Sequence, residues 1–521
     1  MATLADEIAH VLHAHGVSRI FGIPGGGSSL DIIDAAAKAD IPFTLTRTEA
    51  AGTIMAAVTG ELTGAPGAVL VGVGPGASSA TNGLAYASLE RSPMVLFVDG
   101  PASTMHQHFD QQALFAPITR GTARLWPDDG ASVLDRLLTT STTAPEGPVM
   151  VELTAGDAMT DATAFLPTPS DAAGMPAKED LDKAKAMIAA SERPFVIVGL
   201  EARQHGETVR SFADALGAAV MTTYKAGGVY PANGAGFVGT ITGATGEMPI
   251  LAQADLIIGV GFDPIEFIPG KWPGDFPPFL QVGEGSPANP RVQFELELTG
   301  PLADILGQLR DSTADSGWAA SGLKDLCAIV DRIYTPESSA FTTAAAIDTL
   351  AATLEHGTRV CVDAGAHMFS TIGKWPAIKP FGILKSNGLS TMGYALPAAI
   401  ASSLADPATP VIAVTGDGGI SMCVGELATA KELGLDITVI VMNDSALSLI
   451  DIKQQRQQRP SLGVRYPAQD FAAIGESYGW VTARAHGPDE LKHALAVRGP
   501  KLIDVRIDPA GYGDDMTRLR G

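Results

Sequence analysis

The sequence predicts an α/β protein of three open parallel-sheet domains, and three observations carry that prediction. Short apolar runs rich in Val, Ile and Phe recur along the chain and end in glycine or an acid, which is how strands buried on both faces read. Segments with apolar residues at helical spacing separate them, and buried strands that alternate with helices build parallel sheets. The length of 521 residues, at roughly 150 residues per domain, has room for three such units.

The first domain is expected over residues 1–165. Residues 5–15 carry Ala, Ile, Val and Leu at helical spacing and stop at Gly16, after which Ser18-Arg-Ile-Phe-Gly-Ile-Pro reads as a strand feeding a glycine turn. Gly67-Ala-Val-Leu-Val-Gly-Val and Met94-Val-Leu-Phe-Val read as further buried strands, and the Pro, Ala and Asp-rich stretch from Leu166 to Lys178 reads as a linker. A smaller central domain, 185–325, opens on Pro194-Phe-Val-Ile-Val-Gly and continues with Ala254-Asp-Leu-Ile-Ile-Gly-Val-Gly, both strands ending in glycine. Phe341-Thr-Thr-Ala-Ala-Ala-Ile-Asp opens a helix, and the third domain, 340–521, follows with strands at Val360-Cys-Val-Asp, Val411-Ile-Ala-Val-Thr-Gly-Asp, Ile437-Thr-Val-Ile-Val-Met-Asn and Leu502-Ile-Asp-Val-Arg-Ile. In open sheets of this kind ligands sit beyond the carboxyl ends of the strands.

Composition narrows the function. Acidic residues number 57 against 35 basic ones, a formal charge of −22, which disfavours phosphate-rich partners: no nucleic acid and no anionic membrane surface is expected. Charged residues are only 18% and hydrophobic ones 46%, so the chain folds around sizeable cores. Cys327, Cys361 and Cys423 have no paired spacing that suggests a disulfide framework or zinc site. The first residues carry acids where a signal peptide would carry a basic and an apolar region, and no run approaches a membrane span, so the expected location is cytoplasmic.

The sharpest local feature is Thr415-Gly-Asp-Gly-Gly-Ile, with Asn443-Asp444 at the end of the next strand and a helix, Gly425 to Leu433, between. Asp417 and Asp444, 27 residues apart, are thereby delivered to one sheet edge. Two carboxylates there suit a hard cation that bridges to a diphosphate, whose oxygens the backbone at Gly418 and Gly419 can approach. Taken alone, Gly-Asp-Gly after a strand is a tight turn; the paired spacing is what points to a ligand. Glu49 closes a strand entering an Ala-rich helix, where an ordinary helix N-terminal acid also belongs. Gly72-Val-Gly-Pro-Gly76 has the glycine density of a ligand-hugging loop but lacks the dinucleotide fingerprint's spacing and its strand-to-helix start. His106-Gln107-His108-Phe-Asp110 is either a polar cluster suited to substrate contact or a solvated loop.

Taken together, Glu49, Gly74-Pro75-Gly76, Thr391-Met392-Gly393, Gly416-Asp417-Gly418 and Asn443-Asp444 resemble the thiamine diphosphate-dependent enzymes of the acetolactate synthase and pyruvate oxidase type, over nearly the whole chain. The resemblance implies the thiamine diphosphate-binding fold, with pyrimidine-binding, central and diphosphate/Mg-binding domains. It implies that Glu49 contacts N1′ of the aminopyrimidine and shares a proton with it. It further implies that Asp417, Asp444 and the carbonyl of Ala446 bind Mg2+, and that Met392 props the cofactor's bent conformation. Gly25, Gly74, Pro75, Gly365, His367, Gly416, Gly418 and Gly419 line the cofactor by the same likeness, and Gln107 approaches the reacting carbon. Many relatives carry Asn where this chain has Asp444, and the extra charge beside a diphosphate implies strict dependence on the cation.

His106-Gln107-His108 and Gly261-Phe-Asp-Pro-Ile-Glu-Phe267 are similar to the catabolic, flavin-independent acetolactate synthases, so no FAD is expected. The implied reaction is decarboxylation of a 2-oxo acid, pyruvate above others, with carboligation to a second 2-oxo acid. Sites shared between subunits imply a homodimer or homotetramer. The chain departs from the pattern in three places: Gly27 where catabolic synthases tend to have lysine, Ser79 for the usual Asn, and only 15 residues after Arg506, without an extended lid. A 2-oxo acid decarboxylase, or a 2-hydroxyacyl-CoA or aldehyde lyase, is the alternative. Benzoylformate decarboxylases use a Ser near Gly26 and a His near Gly72, and pyruvate decarboxylases use adjacent histidines at His106-Gln107; this chain has neither arrangement. A non-enzymatic scaffold is disfavoured because Glu49 and both metal acids are present together.

Overall fold

The computed structural model describes residues 2–100, 106–107, 109–167, 174–241, 243, 246–266, 276–285, 292–312, 316–336, 338, 340–513 and 516–517. His108 and Phe267, both part of the motifs above, lie outside them.

Three six-stranded sheets form, and all their ladders are parallel. The first contains β1 (Ile20–Ile23), β2 (Phe43–Leu45), β3 (Gly67–Val71), β4 (Met94–Asp99), β5 (Thr122–Arg124) and β6 (Pro148–Leu153), in the order 2-1-3-4-6-5. The second contains β7 (Pro194–Val198), β8 (Ala219–Thr222), β9 (Phe237–Thr240), β10 (Leu256–Val260), β11 (Phe279–Gly283) and β12 (Leu296–Thr299), in the order 12-11-10-7-8-9. The third contains β13 (Arg359–Val362), β14 (Ile383–Lys385), β15 (Val411–Gly416), β16 (Thr438–Asn443), β17 (Val481–Ala485) and β18 (Lys501–Arg506), in the order 14-13-15-16-18-17. Central strands such as β3, β4, β7, β10 and β16 are buried along their whole length, which is why they read as unbroken apolar runs.

The order reverses between β1 and β3, between β7 and β10, and between β13 and β15, and the first and third sheets turn back once more at their far edges, where β5 and β17 lie outside β6 and β18. At such a reversal the helices leaving neighbouring strands diverge to opposite faces and leave a crevice at the carboxyl edge. Two of these crevices each carry a cluster of candidate functional residues. In the second sheet the crevice is filled by the chain itself. A Cβ on Gly199 would meet the Gly261 carbonyl oxygen at 2.4 Å, and the buried Glu266 carboxylate accepts from the Leu200 N–H at 2.9 Å and the Thr223 hydroxyl at 2.5 Å.

Contacts cluster into two compact units. One holds residues 1–171 with 388–408 and 420–437. Within it, helix Ala395–Ala405 packs on helix Glu49–Thr63, and the Tyr394 and Tyr86 rings meet at 5.1 Å. The other holds residues 172–387, 409–419 and 438–521, with the second and third sheets. Among the described residues no disulfide forms, and Cys361 and Cys423 are buried. Among the described residues no helix is long and apolar enough to cross a membrane.

Candidate active site

The first cluster lies at the reversal between β1 and β3. β1 runs into Pro24-Gly25-Gly26-Gly27 and helix Ser28–Lys38; β3 runs into Gly72-Val73-Gly74 and helix Pro75–Leu89. The second loop therefore does make a strand-to-helix start, which the sequence reading denied it. Pro75 at the first helical position supplies the fixed φ that such a start needs. Gly74 has φ +69°, and a Cβ there would stand 2.9 Å from the Gln107 carbonyl oxygen, so both its conformation and its space call for glycine.

Asp99 at the end of β4, 4% exposed, fixes the first loop. Its Oδ1 accepts from the Ser29 N–H at 2.8 Å and the Ser28 hydroxyl at 2.9 Å, and its Oδ2 from the Ser29 hydroxyl at 2.6 Å and the Gly27 N–H at 3.3 Å. A Cβ on Gly25 would lie 2.0 Å from that Oδ2. Gln111 fixes the second loop: its Oε1 accepts from the Gly74 N–H at 2.9 Å, and its Nε2 donates to Glu152 at 2.8 Å. The sequence reading missed both anchors, although Asp99 closes a buried strand beside a glycine loop and so left a signal.

Between the loops is a cleft of about 1040 Å³ whose lining includes Gly25, Glu49, Pro75 and Gln107. Glu49 is the first residue of helix Glu49–Thr63, capped by the Thr48 hydroxyl. Among the described residues its carboxylate accepts no hydrogen bond, and it lies 3.6 Å from where a Gly76 Cβ would be. His106 and Gln107 are exposed; Asp110 is instead a helix cap, accepting from the Ala113 N–H at 2.9 Å. Met392 belongs to the same compact unit but not to the cleft wall. Its neighbour Thr391 accepts a hydrogen bond from Asn82 at 2.9 Å.

The second cluster lies at the reversal between β13 and β15. Gly416 ends β15 and Asp417 begins a helix, Asp417–Cys423; the Gly-Asp-Gly-Gly run is a helix start rather than a tight turn. A Cβ on Gly419 would fall 2.0 Å from Oδ2 of Asp363, which accepts the Thr415 hydroxyl at 2.6 Å. Asp417, 3% exposed, accepts from the N–H groups of Gly418 (2.8 Å) and Ser445 (2.7 Å) and from the Tyr466 hydroxyl (2.7 Å). Burial still pushes its carboxyl above the ordinary range. Asp444 is pushed up to about 6, first by burial and then by the charge of Asp417, against the Ser448 hydroxyl that donates to it. The N–H of Ala446 supports both carboxylates.

Two neighbouring carboxylates, one buried and one half-buried, that resist ionisation are relieved by a cation between them. Among the described residues no group of three or more His, Cys, Asp or Glu could hold a metal. A cation here would draw its other oxygens from the backbone and from its ligand. Tyr466, unforeseen from sequence, is brought in by a return segment: the Leu447 N–H donates to the Val464 carbonyl at 2.7 Å, and Ala446 bridges Arg465. Asn443 is an anchor, donating to the buried Asp504 at 2.9 Å.

His367 completes this cluster. It is 5% exposed, among the described residues its buried Nε2 has no hydrogen-bond partner, and burial lowers it to about 4, so the ring is neutral at pH 7 and this nitrogen is left to pair with a ligand. Its ring crowds Gly365 and Gly416, whose Cβ atoms would come within 2.6 and 3.1 Å of it. The unpaired Nε2, the glycine cradle and the two carboxylates fit a diphosphate with its cation; the unpaired Glu49 fits a nitrogen base in a cleft.

Comparison with known proteins identifies the family. Family models described as thiamine pyrophosphate enzyme match at residues 2–117 (N-terminal TPP binding domain), 181–309 (central domain) and 363–505 (C-terminal TPP binding domain). The chain is 27% identical to an acetolactate synthase of Bacillus subtilis (strain 168), over 98% of this chain and 94% of that one. It is 28% identical to a catabolic acetolactate synthase of Raoultella terrigena, over 97% and 95%. It is 27% identical to a probable 2-ketoarginine decarboxylase of Pseudomonas aeruginosa, over 97% and 94%.

Proposed function

The chain belongs to the thiamine diphosphate enzymes, and from that premise we propose that it decarboxylates a 2-oxo acid, pyruvate above others, and joins the remaining acyl unit to a second 2-oxo acid. The observation that carries the reading is Glu49: a carboxylate without a hydrogen-bond donor among the described residues, at the head of a helix, in a cleft at the sheet's reversal. The bound cofactor supplies a carbanion at its thiazolium carbon and takes up the electrons left when CO2 departs.

The residues of this chain bind, orient and move protons. Glu49 would hydrogen-bond the ring nitrogen of the aminopyrimidine and share a proton with it. Gly25 and Gly74, made bare by Asp99 and Gln107, let the backbone approach the ring. Asp417, Asp444 and the Ala446 carbonyl would hold Mg2+, the Gly418-Gly419 backbone and His367 Nε2 would contact the diphosphate, and Met392 would support the cofactor. Gln107 on the cleft wall orients the substrate carbonyl.

The likeness of Gly261-Phe-Asp-Pro-Ile-Glu-Phe267 to the flavin-independent synthases supports a chain that works without FAD; flavin absorbance in the purified holoprotein would overturn that. Two subunits at least, a homodimer or homotetramer in the cytoplasm, complete the reading. The test is mass-spectrometric product analysis with thiamine diphosphate, Mg2+, pyruvate and a panel of other 2-oxo acids. Acetolactate with CO2 is expected; an aldehyde with CO2 would make the enzyme a decarboxylase.

A further inference from the structure

The cleft that holds Glu49 has a second end, formed by β5 and the turn after β6. Arg124, the last residue of β5, lines it together with Thr154 and Asp157. Among the described residues Arg124 is the one cation on the cleft wall; Glu49, Asp99 and Asp157 are its acids. Asp99 is saturated by the four hydrogen bonds of the glycine loop.

Arg124 is underused where it stands. Among the described residues its buried Nε has no hydrogen-bond partner. Its Nη2 reaches Asp157 Oδ2 at 3.3 Å, longer than charge-assisted bonds of this kind, and that oxygen is already taken by the Thr154 hydroxyl. The guanidinium lies over the Trp126 ring, 4.1 Å from its centroid, which fixes its plane while its edge keeps donors to spare. A planar donor edge with an unpaired buried N–H, held on an indole, is a receptor for a carboxylate.

We propose that Arg124 binds the carboxylate of the acceptor 2-oxo acid, a role that rests on the carboligase reading above. The donor's carboxylate is excluded by energetics: its charge vanishes as CO2 leaves, so a cation paired with it would stabilise the starting state and slow the reaction. A carboxylate that survives in the product gains from the cation throughout. Gly27, which offers no charge, then ceases to be an obstacle to acceptor recognition, because the cation comes from β5.

The test compares wild type with Arg124→Gln and Arg124→Lys. Oxamate, an inert analogue of a 2-oxo acid, is titrated against tryptophan emission, with Trp126→Phe assigning the signal. The holoenzyme is then given pyruvate as donor, with either a second 2-oxo acid or neutral acetaldehyde as acceptor. Arg124→Gln is expected to weaken oxamate binding and raise the KM for the acidic acceptor at least tenfold, to leave capture of acetaldehyde within about twofold, and to keep thiamine diphosphate affinity; Arg124→Lys falls between. Unchanged oxamate binding with an unchanged product ratio overturns the assignment, and so does an equal loss with both acceptors. Absence of CO2 from any 2-oxo acid in the wild type would instead remove the reading on which it rests.

Discussion

The raised carboxyl of Asp444 makes cation loading sensitive to pH in a range where an ordinary aspartate is indifferent. The cation needs the ionised form. With the group at about 6, about nine molecules in ten carry the charge at pH 7 and about one in ten at pH 5, so Mg2+ affinity falls about tenfold between them. An aspartate at its usual 3.8 would change that affinity by less than about a tenth. Asp417 is shifted in the same direction by burial. Without the cation the same shift acts on folding with a defined sign. The folded state favours the neutral acid, so this contribution to stability is complete below 3.8 and is lost as pH rises through 6. The assay is calorimetric titration of Mg2+ into protein saturated with thiamine diphosphate at pH 5, 6 and 7, on wild type and Asp444→Asn. The variant carries the titration of the diphosphate itself, so the difference isolates Asp444. Equal pH dependence in the two proteins would refute the reasoning.

Other perturbations follow from the same geometry. Gly25→Ala puts a methyl 2.0 Å from Asp99 Oδ2; the clash and the broken hydrogen bonds should cost about 3–5 kcal/mol in denaturant unfolding. Gly26→Ala, whose Cβ meets nothing within 4 Å, should be close to neutral, and equal costs would contradict the role given to Asp99. Glu266, pushed up to about 8 chiefly by burial, contributes stability that is complete below its usual 4.5 and lost as pH rises through 8. The wild-type Tm should therefore fall relative to that of Glu266→Gln between pH 5.5 and 8, by on the order of a few degrees per unit, and level off above. Parallel curves in calorimetry would show that the carboxyl ionises normally.

What the sequence disclosed about the site follows from where its signals lie. Asp417 and Asp444 stand at the ends of adjacent buried strands, and parallel strands must deliver their ends to one edge, so spacing alone placed both acids. Glu49 was equally legible as a residue closing a strand, although its local context also suited a helix N-terminal acid, and in the structure it is both. Strand ends marked by glycine gave β3, β7, β10 and β15 closely. The strand-to-helix start at Gly74 was missed because Pro75, a loop residue by habit, is the helix's first residue.

Long-range anchors left weaker traces. Asp99 holds a loop about 70 residues away in sequence, Gln111 reaches back 37 residues to Gly74, and Tyr466 reaches Asp417 across 49. No periodicity records such contacts, because each is set by tertiary packing. Arg124 was not singled out in the sequence; its Nε, unpaired among the described residues, and its seat on Trp126 are what mark it.

The measurement closest to the central claim is a pair made on Glu49→Gln: thiamine diphosphate affinity by calorimetry, and CO2 release from the 2-oxo acid that the wild type turns over. The account predicts cofactor binding within a few fold of wild type and CO2 release reduced by at least about 10²-fold, the range expected for a lost acid–base group. Undiminished CO2 release from a protein with bound cofactor would contradict it, because the shared proton at the pyrimidine nitrogen would then have no part in the reaction.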